Sequence, residues 1–209
     1  MIDHDLRTPV TEPDRPARHR AGGDGWTGLV LGAALVAMAL VTGLVYTFSV
    51  AVMPNLAGAD DRTFVATMQR FNDNPVFQLT FTAALVLAVL AAVLQRRHGT
   101  AVATHWTVAA LVLYGIVLAV TFGINVPLDN QLDGAGDPAR IADLAHVRSR
   151  FEGPWVAANI VRTVLSTAVV GALARALFLH GRATTAHDGW APPFGPPQPS
   201  TRTASEEIR

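Results

Sequence analysis

The sequence contains no cysteine and no lysine. All 16 of its basic residues are Arg, and 16 acidic residues balance them. Without cysteine, disulfides, thiolate metal sites and thiol redox chemistry are excluded. Because the formal net charge is zero, nothing in the composition points to nucleic acid as a partner. The strong preference for Arg, Ala and Val is typical of a GC-rich bacterial genome.

Hydrophobic residues make up half of the chain, and they come in long blocks. A hydrocarbon core of ~30 Å takes roughly 20 helical residues to cross. Since a backbone inside a membrane must satisfy its own hydrogen bonds, these blocks are predicted to be helices. The four qualifying stretches are 29–53, 76–94, 106–124 and 155–179. The sequence therefore predicts an all-α integral membrane four-helix bundle over residues 26–182, in contact with a lipid bilayer.

The two ends of the chain are polar, and residues 1–25 and 183–209 are predicted to be disordered tails. Arginines near the spans set the expected orientation. On the side of the termini lie Arg15, Arg18, Arg20, Arg96, Arg97, Arg175 and Arg182. On the other side lie Arg62, Arg70, Arg140, Arg148 and Arg150. This excess predicts both termini in the cytoplasm of a bacterium, with the protein in the plasma membrane.

Each of the two longer connections carries an amphipathic pattern, which predicts two short helices on the outer face. Phe64, Met68 and Phe71 share one helical face, and Asp60 or Asp61 is expected to cap that helix. In the second connection Asp137 is the cap candidate, with Pro138 in the first turn. Gly153 and Pro154 are expected to end this second helix and begin the fourth span.

Polar residues cluster at the start of the fourth span. Trp155, Asn159 and Arg162 are spaced i, i+4, i+7, so they share one helical face. A charge inside the membrane costs roughly 2.5–3.5 kcal/mol unless it is paired or hydrated. Arg162 is therefore expected to point into the bundle.

The groups that face this cluster are expected to come from the other helices at the same depth. Asn125 and Asp129 follow the third apolar stretch, while Gln69 and Asn72 precede the second. Pro127 is expected to end or kink its span, because proline disfavours helix at the residue before it. Either Asp129 and Arg162 form a structural ion pair, or these groups line a pocket; the spacing leaves both alternatives open.

The histidines do not indicate a metal site. His98, His105 and His180 are expected at one end of the bundle and His146 at the other. None of them is grouped with carboxylates at the spacing of metal ligands, so no metal is predicted.

Four short motifs together resemble the anthrone oxygenase family of small four-helix membrane proteins. They are "VMPNL", "MQRFNDNPVF", "NVPLDNQLD" and "WVAANIVRT", and the resemblance runs from about Gly28 to Leu179. The residues that match the family pattern are Asn125, Pro127, Trp155, Asn159, Arg162 and Thr163. The chain departs from it at Asp129, Ala158 and Ile160, where Asn, an aromatic residue and His are usual.

The resemblance implies oxidation of a lipophilic phenolic aromatic substrate by molecular oxygen, with no added cofactor. For this chemistry Asp129, which replaces the usual Asn of the family, is the candidate base, and Arg162 is the candidate to hold an oxyanion together with Asn125 and Asn159. Asn125, Asn159, Trp155, Gln69 and Asn72 are the implied substrate-binding residues. A non-catalytic membrane protein that holds a small lipophilic ligand or a partner protein is the alternative. The sequence leaves the oligomeric state open.

Overall fold

The computed structural model describes residues 18–187, and these are almost entirely helical. Most of the two predicted tails lies outside the described residues. Where the structure does describe them, at residues 18–25 and 183–187, the chain is helical. The elements in chain order are α1 (Arg18–Thr47), a π-helical turn (Phe48–Val52), α2 (Met53–Ala57), α3 (Asp61–Asn72), α4 (Pro75–His98), α5 (Ala101–Val120), a second π-helical turn (Thr121–Asn125), α6 (Val126–Gly134) and α7 (Leu144–His187).

Four helical segments are long and apolar enough to cross a membrane: Gly25–Ala57, Pro75–His98, Ala101–Gly134 and Leu144–Thr185. The predicted all-α, multi-pass membrane bundle is therefore confirmed. The outer surface of the bundle is apolar, since residues such as Leu29, Leu79 and Phe122 are exposed along the spans. This is the pattern expected of a surface that faces lipid.

Small and aliphatic side chains let the four spans approach closely. α1 contributes Leu31, Ala34, Met38 and Val41 at spacings of three and four residues, which places them on one buried face. α4 and α5 contribute mostly alanines to the same core. Small residues at interfaces between membrane helices allow close van der Waals packing. Tyr114 is the largest fully buried residue, and its hydroxyl donates to Phe81 O at 2.8 Å.

The first amphipathic helix is found where it was predicted, as α3. Asp60 caps it, with Oδ1 accepting from Thr63 N at 3.0 Å and Oδ2 from Thr63 Oγ1 at 2.7 Å. These hydrogen bonds hold the pKa of the Asp60 carboxyl below its ordinary value, and the bond from the Thr63 hydroxyl has the largest effect. Phe64, Val65 and Met68 are the buried face of α3.

The second predicted helix is not a separate element, so this part of the prediction is wrong. Asp137 caps only a turn, by accepting from Ala139 N at 2.8 Å. Asp143 takes over as the cap, with Oδ1 accepting from His146 N at 2.9 Å, and α7 begins at Leu144. The helix then continues through Pro154 to His187. Proline is tolerated inside membrane helices because their neighbours help to satisfy the backbone.

Pro127 does not end its span either. Val126 keeps helical backbone angles, with φ −59° and ψ −44°, and its N–H donates to Thr121 O. The wider π-helical turn that precedes the proline accommodates it at the first turn of α6, where its missing N–H is least costly. The chain therefore remains helical from Ala101 to Gly134.

Arg148 joins the connection between α2 and α3 to α7. Its guanidinium donates to Ala59 O at 2.8 Å, Ala57 O at 3.1 Å and Leu56 O at 3.3 Å. It also pairs with Asp61 at 3.1 Å and Glu152 at 2.8 Å, over the ring of Phe64. One side chain thus satisfies the carbonyls that α2 leaves free at its end.

Arg148→Met is expected to lower the thermal unfolding temperature of the detergent-solubilised protein by several degrees. The substitution leaves several carbonyls and carboxylates without a donor, and each hydrogen bond to a charged group contributes about 1.5–3 kcal/mol when it is shielded. Because Arg148 is partly exposed, the expected loss is nearer the lower value. Arg150→Met, at an exposed position of the same helix, is the control. Equal unfolding temperatures for the two variants would contradict this role for Arg148.

Candidate functional site

A cavity of about 480 Å³ lies within one end of the bundle, the end that carries α3 and α6, here called the site end. Its volume falls in the range of small-molecule sites, roughly 300–1,000 Å³. α3 forms its roof and the four spans form its walls. The lining residues are Leu44, Val45, Phe48, Met68, Phe71, Asn72, Asn74, Phe77, Gln78, Phe81, Thr82, Leu85, Leu118, Thr121, Phe122, Val126, Asp129, Asn130, Asp133, Trp155, Asn159 and Arg162.

Aromatic rings form one wall of this cavity. Phe48 is at the centre of the cluster, with its ring centroid 5.1 Å from Phe71, 5.8 Å from Phe77 and 5.4 Å from Trp155. Edge-to-face contacts of this kind stabilise a packing arrangement beyond the apolar area buried. The cluster joins the π-helical turn of the first span to α3, α4 and α7, so it holds the roof of the cavity to three of its walls.

Arg162 lies on α7 with only 7% of its surface exposed. Nη2 donates to Asn159 Oδ1 at 2.8 Å, and the guanidinium stacks 5.6 Å from the centroid of the Trp155 indole. Nε is buried and has no hydrogen-bond partner among the described residues. No carboxylate in the part of the chain that the structure describes forms an ion pair with Arg162. Arg162 therefore lacks a directly bonded carboxylate, although Asp129 and Asp133 also line the cavity.

Asp129 is part of the cavity wall but does not pair with Arg162. Its Oδ1 accepts from the indole Nε1 of Trp155 at 2.8 Å. The structural ion pair that the sequence left open is therefore not formed, and Trp155 contacts both charged groups instead. Because the carboxylate is not held by the guanidinium, both side chains remain available to a molecule in the cavity.

Asn159 joins α7 to α1. Its Nδ2 donates to Val45 O at 2.9 Å and to Ser49 Oγ at 2.8 Å, while its Oδ1 accepts from Arg162. Ser49 Oγ lies 3.1 Å from Thr163 Oγ1, which closes the network. Ser49 belongs to the π-helical turn of the first span. Such turns are frequent at functional sites, because they change which way side chains point within an otherwise regular helix.

The predicted site residues separate into two groups. Asp129, Arg162, Trp155, Asn159 and Asn72 all line the cavity. Asn125 and Gln69 do not.

Asn125 is buried behind the wall, where its Nδ2 lies 3.5 Å from Trp155 O and its Oδ1 has no partner among the described residues. Gln69 instead donates to Leu132 O at 2.9 Å and Gly136 O at 3.0 Å, beyond the cavity. Asn72 has both kinds of contact, because it lines the cavity and also donates to Asp133 Oδ1 of α6 at 3.2 Å.

Several lining residues were missed by the sequence analysis. Phe48, and Ser49 of the adjoining hydrogen-bond network, lie within the first apolar stretch, where nothing distinguishes them from residues that face lipid. Gln78 is a single polar residue near the end of a span, where such residues are common. Asp133 lies one turn after Asp129 on α6, so helical spacing from Asp129 was the one available signal for it.

No group of three His, Cys, Asp or Glu side chains within residues 18–187 is arranged to hold a metal ion.

Comparison with known proteins points to one family. The model of a family described as anthrone oxygenase matches residues 68–172, about half of the chain. The matched stretch contains Asn72, Asp129, Trp155, Asn159 and Arg162, but not α1. Neither a curated protein nor a solved structure matches the chain.

Asn159→Ala is expected to destabilise the protein more than Ser49→Ala does. The first substitution leaves Arg162 without its acceptor in a buried site, and an unsatisfied buried polar group costs about 1–3 kcal/mol, more if it is charged. The second removes one acceptor while Asn159 keeps its bond to Val45 O. Thermal unfolding in detergent measures both losses. A larger loss for Ser49→Ala would show that the hydroxyl, rather than the amide, holds α1 to α7.

Proposed function

The chain belongs to the anthrone oxygenase family, and from this premise we propose that its cavity binds a lipophilic phenolic aromatic compound and oxidises it with molecular oxygen. The proposed reaction needs no added cofactor. The observation that carries the proposal is that a buried guanidinium, Arg162, and a carboxylate, Asp129, line one cavity with aromatic walls without forming an ion pair. A phenolic compound suits this arrangement, because its oxygen accepts a hydrogen bond from the guanidinium while the carboxylate takes up a proton.

The dimensions and lining of the cavity support this class of ligand. A volume of about 480 Å³ accommodates a fused aromatic ring system with small substituents. Phe48, Phe71 and Phe77 offer ring faces and edges on one side. Among the polar lining residues, Asp129, Asn159 and Arg162 would orient the oxygen atoms of the ligand rather than its rings.

The proposed reaction is a four-electron reduction of oxygen in which one oxygen atom enters the product. A base removes a proton from the methylene carbon opposite the carbonyl of an anthrone, which leaves an enolate. The enolate transfers electrons to oxygen, a carbon–oxygen bond forms, and a hydroperoxide results. Loss of water from this hydroperoxide breaks the O–O bond and the remaining C–H bond. The overall balance is one anthrone and one O₂ to one anthraquinone and one water.

Asp129 is the proposed base and Arg162 the proposed partner of the enolate oxygen. Asp129 Oδ1 is held by the indole of Trp155, which fixes the carboxylate at the cavity wall. Asn159 holds Arg162 in position through Nη2. A donor that is already oriented when negative charge develops lowers the barrier most. Asn125 does not line the cavity, so we propose that it supports Trp155 rather than the oxyanion.

The test is oxygen uptake by the purified, detergent-solubilised protein with a hydroxylated anthrone as the probe. Uptake is expected to exceed the spontaneous rate, with one O₂ consumed per anthrone. Arg162→Gln is expected to lower the enzymatic rate about 100-fold or more, as for loss of an oxyanion donor. Asp129→Asn is expected to lower it by a similar factor, as for loss of a general base.

Matched controls separate these losses from general damage. Arg175→Gln removes an arginine from an exposed position of the same helix, and Asp73→Asn removes an exposed carboxylate near the roof. Both controls are expected to keep the full rate. Full activity of a folded Arg162→Gln variant would overturn the proposal, and full activity of Asp129→Asn would remove Asp129 as the base. Binding of the anthrone without any uptake would identify a ligand-binding protein instead.

A further inference from the structure

We propose that the ligand enters the cavity sideways from the bilayer, through a window between α4 and the π-helical turn Thr121–Asn125. The window is bordered by Gln78 and Thr82 on α4 and by Phe122 on the turn. The ligand class rests on the proposed function, whereas the route rests on the geometry of the bundle alone.

The roof of the cavity is closed by hydrogen bonds. Gln69 of α3 donates to Leu132 O and Gly136 O, and Asn72 donates to Asp133 Oδ1. Gly136 has a φ of +86°, a conformation that favours glycine, and it turns the chain after α6 back toward α3. The ring of Phe71 also packs against Phe48. A ligand arriving through the roof would have to break this set of contacts together.

The side of the cavity has no such closure. Tyr114 Oη donates to Phe81 O at 2.8 Å and ties α5 to α4 at the floor. Toward the roof from this bond, no side-chain hydrogen bond in the described chain joins α4 to the π-helical turn or to α6. Gln78, Thr82 and Phe122 are each exposed and each line the cavity, which is the property of residues at an opening. Three polar residues with the same property, Asn74, Asn130 and Asp133, continue this opening to the polar end of the bundle.

The part of the window between Thr82 and Phe122 faces hydrocarbon, whereas its end at Asn74, Asn130 and Asp133 is polar. Both of its borders belong to segments that are apolar enough to cross a membrane. Beside Gln78 and Thr82 on α4, Leu79 is 67% exposed and Val86 is 59% exposed. Phe122 on the other border is 67% exposed. An exposed surface of this composition is solvated by lipid, so the opening is accessible to compounds dissolved in the bilayer.

Gln78 makes the rim selective. Its side chain forms no hydrogen bond with any of the described residues, whereas Thr82 Oγ1 is satisfied by donating to Gln78 O at 2.8 Å. A free amide in an apolar environment lacks the partners that it would have in water. A phenolic hydroxyl that arrives from the bilayer would supply such a partner before it reaches Asp129 and Arg162.

The test uses Trp155 as a reporter inside the cavity. The full chain with Trp26→Phe, Trp106→Phe and Trp190→Phe leaves Trp155 as its single tryptophan, and it is reconstituted in phosphatidylcholine vesicles. A nitroxide-labelled nonane, which dissolves in the bilayer, is expected to quench Trp155 fluorescence strongly. Acrylamide, which stays in water, is expected to quench it weakly.

Variants at the rim identify the route. Thr82→Phe narrows the window and is expected to reduce quenching by the nitroxide several-fold, whereas Phe122→Ala widens it and is expected to increase quenching. Val86→Phe adds the same bulk one turn away on the lipid-facing surface of α4, and it is expected to change nothing. Stronger quenching by acrylamide than by the nitroxide, or equal effects of Thr82→Phe and Val86→Phe, would overturn the window.

This outcome is separable from the proposed function. The quenching measurement involves no turnover, and oxidation by the solubilised protein does not require entry from a bilayer. Quenching from the bilayer without oxygen uptake would retain the window and reject the oxygenase. Oxygen uptake with quenching only by the water-soluble acrylamide would retain the oxygenase and reject the window.

Discussion

The buried guanidinium of Arg162 is the constraint around which the site end is organised. A charge at such a position is costly unless something compensates for it. Here the compensation is partial, since Asn159 accepts one hydrogen bond, the Trp155 indole offers its face, and Nε has no partner among the described residues. Asn159 must in turn be held, and Val45 and Ser49 of the first span hold it. The packing of α1 against α7 and the orientation of the charge therefore depend on one another.

The same end of the bundle is kept open by its backbone. Two π-helical turns interrupt the first and third spans at the level of the cavity. The amphipathic helix α3 covers the space between the spans, anchored by Arg148 on one side and by Gln69 and Asn72 on the other. Toward the opposite end α4 and α5 pack through small side chains such as Ala91 and Ala103, and Gln95 and Thr107 are also buried there. Packing thus varies along the bundle. The helices approach closely where their side chains are small, and a cavity remains where large aromatic rings surround polar groups.

Much of the architecture follows from patterns that act within a single helix. The length of the apolar stretches predicts the spans, and the spacing of Phe64, Met68 and Phe71 predicts α3. The second outer helix was placed wrongly because two caps, Asp137 and Asp143, compete within a few residues, and the local sequence favours neither strongly. The span also does not end at Pro127, because a π-helical turn accommodates the proline and the helix continues to Gly134.

The sequence by itself determined that the chain crosses a membrane and that Trp155, Asn159 and Arg162 share one face, since hydropathy and helical period are local properties. It also places Asp129 near their depth. Only the tertiary structure decided that Asp129 bonds to the Trp155 indole instead of to Arg162, and that Asn125 and Gln69 lie outside the cavity. The reason is that hydrogen bonds between helices depend on how all four spans pack, and a shift of a few ångströms decides which groups meet. The spacing of residues along one helix carries no information about these distances.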